Sequence, residues 1–182
     1  MSDRRGRFEA QALPHLDAAY NLARWLARPP LDADDIVQDA LLRAFRAFDS
    51  FRGDNVKPWL LSIVRNCFLT EAARKGRPRT VSIPSDGEAG ADDRTWISDE
   101  PDPEVAAIRT DEGRRLDEVI ARLPREFREV LVLREMEDLS YREIAQITGA
   151  PIGTVMSRLA RARVMLKESW LSDVERTGHV LQ

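Results

Sequence analysis

Four polar side chains near the C-terminus are spaced to form one hydrogen-bonding surface. Thr154, Ser157, Arg158 and Arg161 recur at steps of three and four residues, which places them on one side of a helix. Arginine donates in a planar fork that suits base edges and phosphates, and the threonine and serine hydroxyls can donate or accept. The pattern indicates a helix that contacts nucleic acid.

The elements around this surface predict a helix-turn-helix. The opposite side of the same helix is apolar, through Val155, Leu159, Ala162 and Leu166. Upstream, Ser140 and Glu143 have the spacing of a capping box that begins a shorter helix. Gly149 and Pro151 then break that helix, so the second helix opens near Thr154. An ordinary helical hairpin with a solvated basic face is the alternative explanation.

A second candidate surface lies near the N-terminus. Asp32 is predicted to cap a helix that continues past Phe45, with acidic residues in its first turn. Along this helix one stripe combines acids, an amide and an apolar side chain, namely Asp35, Gln38, Asp39 and Leu42. The stripe fits a protein partner, although helix capping together with a solvated face would explain the same residues.

Composition restricts the function classes. The chain has 182 residues, a net charge of −3 and 43% hydrophobic residues, enough for folded cores. No glycine-rich phosphate loop, metal-ligand cluster or nucleophile–base pair has a recognisable spacing, so we expect neither enzyme activity nor a cofactor. The single cysteine, Cys67, is expected to be a buried structural thiol. No apolar run approaches a membrane span, and we expect a cytoplasmic protein.

The periodicity predicts an all-α protein made of two small helical domains. No segment alternates with a period of two, so no sheet is expected. Residues 8–26 have a helical pattern, in which Leu13 is one of the apolar residues that recur at steps of three and four. After residue 105 the helical pattern resumes, with a stripe of Leu116, Val119, Ile120 and Leu123. Residues 80–104 are acidic and lack periodicity, which predicts a flexible linker between domains at 1–79 and 105–176.

Two groups of motifs resemble a known family. The segments 34–40, 48–53 and 59–66 (DDIVQDA, FDSFRG and WLLSIVRN) resemble region 2 of bacterial sigma factors. The segments 123–130 and 140–167, which begin with LPREFREV and SYREIAQITG, resemble region 4. Nothing between them looks like region 3, so the chain is similar to the compact extracytoplasmic-function (ECF) group.

The resemblance implies roles for the region 2 residues. It implies that Asp35, Gln38, Asp39 and Leu42 bind core RNA polymerase. It also implies that the loop from Phe51 to Lys57 captures a base flipped out of the minus-ten promoter element. The residues implied to contact this DNA are Arg52, Asp54, Asn55, Val56, Lys57, Trp59, Arg65, Arg74 and Lys75.

For region 4 the resemblance implies contact with the minus-thirty-five element. The groove-facing residues are then Thr154, Met156, Ser157, Arg158, Ala160 and Arg161. Met156 stands where the family often has lysine or arginine, so one expected contact is missing. The resemblance further implies control by an anti-sigma protein.

Two other functions compete with the promoter-specificity subunit. A conventional helix-turn-helix regulator would favour palindromic operators and would need no polymerase-binding stripe. A sigma-like decoy would bind a regulator without directing transcription. The stripe and the loop around Asn55 disfavour the first alternative, and the basic second helix disfavours the second.

Overall fold

The computed structural model describes residues 2–27, 31–75 and 111–178, and within these ranges every secondary-structure element is helical. The all-α prediction is therefore confirmed. The predicted linker at residues 80–104 lies outside the described residues. We call residues 2–75 the N-terminal unit and residues 111–178 the C-terminal unit.

The N-terminal unit is built from four α-helices and two short 3₁₀ helices. In chain order they are α1 (Ser2–Ala12), a 3₁₀ helix (Leu13–His15), α2 (Leu16–Leu26), α3 (Ala33–Ala47), a 3₁₀ helix (Phe48–Ser50) and α4 (Val56–Lys75). Helices α2 and α3 both pack on α4, where Leu60, Leu61 and Val64 are fully buried. The Phe8 ring from α1 closes this core edge-on against Phe48, with the ring centroids 5.3 Å apart.

The predicted helical stretch over residues 8–26 is interrupted. Pro14 lies in the 3₁₀ helix between α1 and α2, because proline has no amide hydrogen and its ring clashes with the preceding turn of an α-helix. Leu13 falls at this break and is 46% exposed, so the apolar spacing that predicted one continuous helix does not place it in the core.

The C-terminal unit contains four α-helices and one π-helical turn. They are α5 (Asp111–Arg122), α6 (Arg125–Leu131), the π turn (Val132–Met136), α7 (Tyr141–Thr148) and α8 (Ile152–Gly178). The predicted apolar stripe of α5 holds for Val119, Ile120 and Leu123, which are buried. Leu116 is 40% exposed, so it is not part of the packed side.

The predicted helix-turn-helix is formed by α7 and α8. Ser140 caps α7 by accepting from the amide of Glu143, while the Glu143 carboxylate accepts from the amide of Ser140 at 2.8 Å. Gly149 ends the helix with φ of 68°, a left-handed conformation that glycine adopts without steric cost. Val155 and Leu159 are buried on the inner side of α8. The capping box and the glycine turn are therefore confirmed.

Replacing Ser140 with alanine should lower the free energy of unfolding by about 1 kcal/mol, because α7 loses a side-chain cap. Urea unfolding followed by circular dichroism measures this change. Ser172→Ala is the matched control, since Ser172 is exposed inside α8 and caps no helix end. Equal effects of the two substitutions would contradict a stabilising capping box.

The two units pack against each other. Helix α4 lies along α7, and α2 contacts α6 and the π turn. Buried apolar residues of both units, including Leu22, Leu60, Leu133 and Ile144, belong to one continuous hydrophobic cluster. This packing brings the loop before α4 (residues 51–55) next to the N-terminal end of α7, where Asn55 donates to Glu143.

Candidate nucleic-acid interface

The acidic stripe of α3 lies on the surface of the N-terminal unit. Asp32 fixes the start of the helix by accepting from the amide of Asp34 at 2.8 Å. Its buried side, through Ile36, Val37, Ala40 and Ala44, packs on the core. The opposite side carries Asp35, Gln38 and Leu42, all exposed, beside the half-buried Asp39. The helix therefore presents the four predicted residues together.

Asp39 and Leu42 give this stripe a mixed character. Asp39 pairs with Arg43 at 2.8 Å one turn along the helix, so part of its charge is already compensated. The Leu42 side chain is 57% exposed. The stripe can therefore offer charged and hydrogen-bonding contacts together with one apolar contact.

Cys67 lies behind the stripe and has no chemical role there. Its side chain is buried, and burial together with the nearby Asp39 carboxylate raises the pKa of the thiol to about 11. The thiolate is the nucleophilic form of cysteine, so this thiol is unreactive at neutral pH. The prediction of a buried structural cysteine is confirmed.

The loop before α4 has a defined shape. Phe51 packs on Trp59 with ring centroids 4.8 Å apart. A Cβ atom at Gly53 would lie 2.9 Å from the Phe51 ring, so the loop needs glycine at this position unless the ring moves. Asn55 precedes the first residue of α4 and accepts from the amide of Lys57 at 3.1 Å. The aromatic pair and this cap together fix the loop against α4.

The predicted minus-ten residues differ in exposure. Arg52, Asp54, Asn55, Arg74 and Lys75 are exposed, and Lys57, Trp59 and Arg65 are half-buried. Val56 is only 7% exposed and packs in the core, so its prediction as a DNA contact is corrected: its side chain is not on the surface. Val56 is the first residue of α4 and lies on the side of the helix that faces the core, so its apolar side chain packs inward.

Arg74 and Lys75 at the end of α4 share one carboxylate partner. Arg74 pairs with Glu71 at 2.7 Å and Lys75 with the same residue at 3.4 Å. The hydrogen bond and the charge of Glu71 raise the pKa of Arg74. Both cations stay near the helix end, on the same element as Arg65.

Three other predicted DNA contacts are bound to carboxylates of the C-terminal unit. Asn55 donates to Glu143 at 3.1 Å, Lys57 pairs with Glu137 at 3.0 Å, and Arg65 pairs with Glu129 at 2.5 Å. We call Glu129, Glu137 and Glu143 the interface carboxylates. Sequence reasoning did not identify them as site residues, because their partners lie 64 or more positions away.

The outer side of α8 carries the predicted minus-thirty-five residues together. Met156, Ser157, Ala160 and Arg161 are exposed, and Thr154 and Arg158 are half-buried. Arg163, further along the helix, is held by Glu135 at 2.6 Å, and this bond raises its pKa. The surface offered to a groove is therefore basic through Arg158 and Arg161 and apolar through Met156.

The described ranges contain no cluster of three or more histidine, cysteine, aspartate or glutamate side chains that could hold a metal ion. Among the described helices, none is both long and apolar enough to span a bilayer.

Comparison with family models identifies both halves of the chain. Residues 13–78 match the Sigma-70 region 2 model, and residues 113–166 match the Sigma-70, region 4 model. The first range covers most of the N-terminal unit with its acidic stripe and loop. The second range contains α7, the turn and α8 as far as residue 166.

Curated relatives cover most of the chain. It is 36% identical over 154 residues to the ECF RNA polymerase sigma factor SigE of Mycolicibacterium smegmatis, an alignment spanning 85% of this chain and 58% of that protein. It is 35% identical over 150 residues to the ECF RNA polymerase sigma-E factor of Haemophilus influenzae, covering 80% of this chain and 77% of the relative. The corresponding Escherichia coli K12 factor is 34% identical over 137 residues, with 74% and 72% covered.

Solved structures of sigma factors share the fold. The sigma factor RpoE from Bartonella quintana, solved in complex with the anti-sigma factor NepR, matches with a TM-score of 0.68 and 30% identity, over 92% of this chain and 98% of that one. CnrH, solved in complex with the cytosolic domain of CnrY, matches with a TM-score of 0.60 and 26% identity, over 92% and 88% of the two chains.

A region 2 unit with an acidic helix, followed by a region 4 unit with a helix-turn-helix, defines a two-region sigma factor, a class of transcription initiation factor. The chain belongs to the ECF RNA polymerase sigma factors.

Proposed function

We propose that this sigma factor binds core RNA polymerase through the stripe of α3 and reads promoter DNA at two separate elements. The observation that carries the proposal is the presence, in one chain, of an exposed acidic stripe within the region 2 match and an exposed basic helix face within the region 4 match. The domain division that accompanies it is 1–79, 80–104 and 105–176. The factor would act in the cytoplasm, without catalytic chemistry of its own.

The polymerase-binding surface consists of Asp35, Gln38, Asp39 and Leu42. Exposed carboxylate and amide groups can pair with basic and polar groups on a partner helix. Because the four side chains are presented by a helix whose other side is buried, little backbone conformational entropy is lost on binding. Leu42 would supply the apolar contact at this interface.

The minus-ten element would be bound around the loop before α4. Asn55 can donate to and accept from the edge of an unstacked base, while Arg52 and Lys57 can contact phosphates. Trp59 and Asp54 border the same loop, and Arg65, Arg74 and Lys75 extend the surface along α4. Contacts of the captured base with the loop would have to offset the few kcal/mol that base extrusion costs.

The minus-thirty-five element would be read by α8 in the major groove. Arg158 and Arg161 carry the donors suited to guanine edges or phosphates, and Thr154 and Ser157 can reach bases or backbone. Met156 and Ala160 are apolar and fit the methyl group of thymine. None of the six residues belongs to the buried stripe of Val155, Leu159 and Ala162, so all six lie on the part of α8 that is left for a groove contact.

An anti-sigma protein is the proposed regulator. The Bartonella quintana relative was solved with its anti-sigma factor NepR, and its similarity covers 92% of this chain. An anti-sigma protein that covers the α3 stripe would prevent polymerase binding without altering the fold.

Association with core polymerase tests this function directly. The full chain, mixed with purified bacterial core RNA polymerase, should co-elute with it on size exclusion, and excess of a known sigma factor should displace it. A chain that binds duplex DNA but never co-elutes with core would contradict the proposal and favour a conventional regulator.

A further inference from the structure

The outer side of α8 carries more apolar surface than a groove contact uses. Exposed apolar side chains recur along this helix at steps of four and seven residues, so they share one side of it. We call this set the α8 apolar stripe: Ile152, Met156, Ala160, Val164 and Leu171. Val164 is 56% exposed and Leu171 is 50% exposed, and neither is among the groove-facing residues. Groove contact alone therefore does not account for the stripe.

The stripe continues past the part of a recognition helix that reads DNA. Recognition helices contact base edges with their N-terminal residues. At a rise of about 1.5 Å per residue, Val164 lies about 12 Å and Leu171 about 22 Å along the helix axis from Met156. Leu171 also lies beyond the region 4 match, which ends at residue 166. Exposed apolar residues aligned in this way mark an interaction surface, whereas singly scattered ones need no explanation.

The charges beside the stripe are positive. Residues 152–167 contain no acidic residue and four cations, namely Arg158, Arg161, Arg163 and Lys167. Glu135 binds Arg163 at 2.6 Å. In the part of the chain that the structure describes, the other three cations have no carboxylate within ion-pair distance. A ligand that fits this surface combines apolar and acidic groups.

One segment of this chain has the complementary composition. It is residues 92–104, with the sequence DDRTWISDEPDPE, and it lies outside the described residues. Trp96 and Ile97 form an apolar pair, with an Asp-Asp pair upstream and an Asp-Glu pair downstream. The whole segment has six acidic residues and one basic residue. The apolar pair matches the α8 apolar stripe, and the carboxylates match the charge of the cations beside it.

The length of the chain allows this segment to reach the stripe. Trp96 precedes Asp111, the first residue of α5, by 15 positions, a span that extends to at most about 50 Å. Helix α5 packs on α8, and Arg122 near its end binds Asp173 at 2.9 Å. Helix α5 is about 18 Å long and α8 about 40 Å. The stripe therefore lies within reach of the segment.

We propose that residues 92–104 are an intramolecular ligand of the α8 apolar stripe. Trp96 and Ile97 contact the apolar side chains, and the carboxylates on either side pair with Arg161 and Lys167. Because Arg161 is also assigned to the minus-thirty-five contact, the segment and promoter DNA compete for the same helix. The competition rests on the proposed function of α8 in reading DNA, whereas the docking of the segment does not.

The effect on DNA binding follows from the fraction of molecules in which the segment is docked. Apparent affinity falls in proportion to the fraction with a free helix, so about 90% docking weakens DNA binding about tenfold. Removing the apolar pair should release the segment while the net charge of the chain stays the same. A gain in DNA affinity then reports the lost docking and not a change in charge.

The test uses the full chain with Trp96→Ala/Ile97→Ala, which changes no charge and no residue of the described helices. Assigned amide NMR spectra of the wild type and the variant are compared without DNA. Affinity for a fluorescein-labelled duplex from upstream of the gene for this chain is then measured by anisotropy. Amides between residues 156 and 171 should shift, and the variant should bind the duplex about tenfold more tightly than the wild type.

Val81→Ala/Ile83→Ala is the matched control. It removes two apolar side chains from the same predicted linker, at positions with no acidic residue beside them. The α8 amides and the duplex affinity of this control should stay those of the wild type. Equal changes in both double variants would overturn the proposal, because any loss of apolar residues from the linker would then have the same effect.

Val164→Ser tests the contact from the side of the helix. Val164 is exposed, so its replacement leaves the buried side of α8 unchanged. The amides of residues 95–98 should shift in this variant if the segment is released. Leu116→Ser is its control, since Leu116 is an exposed apolar residue of α5 outside the stripe, and it should leave these amides unchanged.

The outcomes distinguish the docking from the proposed reading of DNA. Unchanged α8 amides in Trp96→Ala/Ile97→Ala would overturn the docking, and shifts that depend on protein concentration would assign the stripe to a second copy of the chain instead. Docking without a gain in duplex affinity would overturn the competition. If the amides shift but no form binds the duplex, the proposed contact of α8 with the minus-thirty-five element fails while the docking stands.

Discussion

Replacing both Asp35 and Gln38 with alanine is expected to weaken the binding of core RNA polymerase by about 30-fold or more. Truncation of central interface residues costs about 2 kcal/mol or more, and 1.4 kcal/mol corresponds to a tenfold change. Both side chains are exposed on α3 and point away from the core, so the helix itself should persist. Competition binding against a labelled reference sigma factor measures the loss.

Asp34→Ala is the control for this double substitution. Asp34 is also exposed in the first turn of α3 and makes a similar interaction with the helix dipole. It is displaced by about 100° around the helix axis from Asp35 and flanks the stripe one turn before Gln38. We expect it to bind core within about twofold of the wild type. Equal losses from Asp34→Ala and from the double substitution would mean that helix stability, and not the stripe, determines binding.

Arg161→Ala is expected to weaken binding to the minus-thirty-five duplex by about 1–3 kcal/mol, which is about 5- to 150-fold. Arg161 lies on the exposed side of α8 among the groove-facing residues. Binding of the full sigma–core complex to a promoter duplex, measured across a salt series, reports the change. If Arg161 contacts phosphate, the salt slope falls by about one and the loss is similar for all sequences. If it contacts a base, the variant discriminates less between bases at that one promoter position.

Arg163→Ala is the comparison for this substitution. Arg163 is on the same helix and has the same charge, but its guanidinium is held by Glu135 at 2.6 Å. Removing it should change promoter binding by less than Arg161→Ala does. The reverse order of effects would place the DNA-binding side of α8 elsewhere.

Local signals in the sequence predicted much of the fold. The box formed by Ser140 and Glu143, the left-handed Gly149 and the cap at Asp32 act over a few residues, so their outcome depends little on the rest of the chain. The apolar stripe of α8 followed directly from helix periodicity. Only positions at the ends of stripes, such as Leu13 and Leu116, departed from the prediction, because packing with other elements decides burial there.

The contacts between the units could not be read from sequence. In the sequence, Glu129 and Glu137 cannot be distinguished from solvent-exposed glutamates. In the structure both are buried, because packing of the units places Arg65 and Lys57 beside them. Their partners are far away in the chain, and a single sequence contains no signal for such long-range pairs. The same limit applies to Val56, whose place in the loop motif suggested DNA contact while its apolar side chain joined the core.

Run-off transcription with purified bacterial core RNA polymerase, on DNA from upstream of the gene for this chain, tests the central claim most directly. The wild type should direct initiation at a defined start, and Asp35→Ala/Gln38→Ala should abolish it while Asp34→Ala retains it. Tight binding to duplex DNA with neither initiation nor core association would contradict the assignment of this chain as a promoter-specificity subunit.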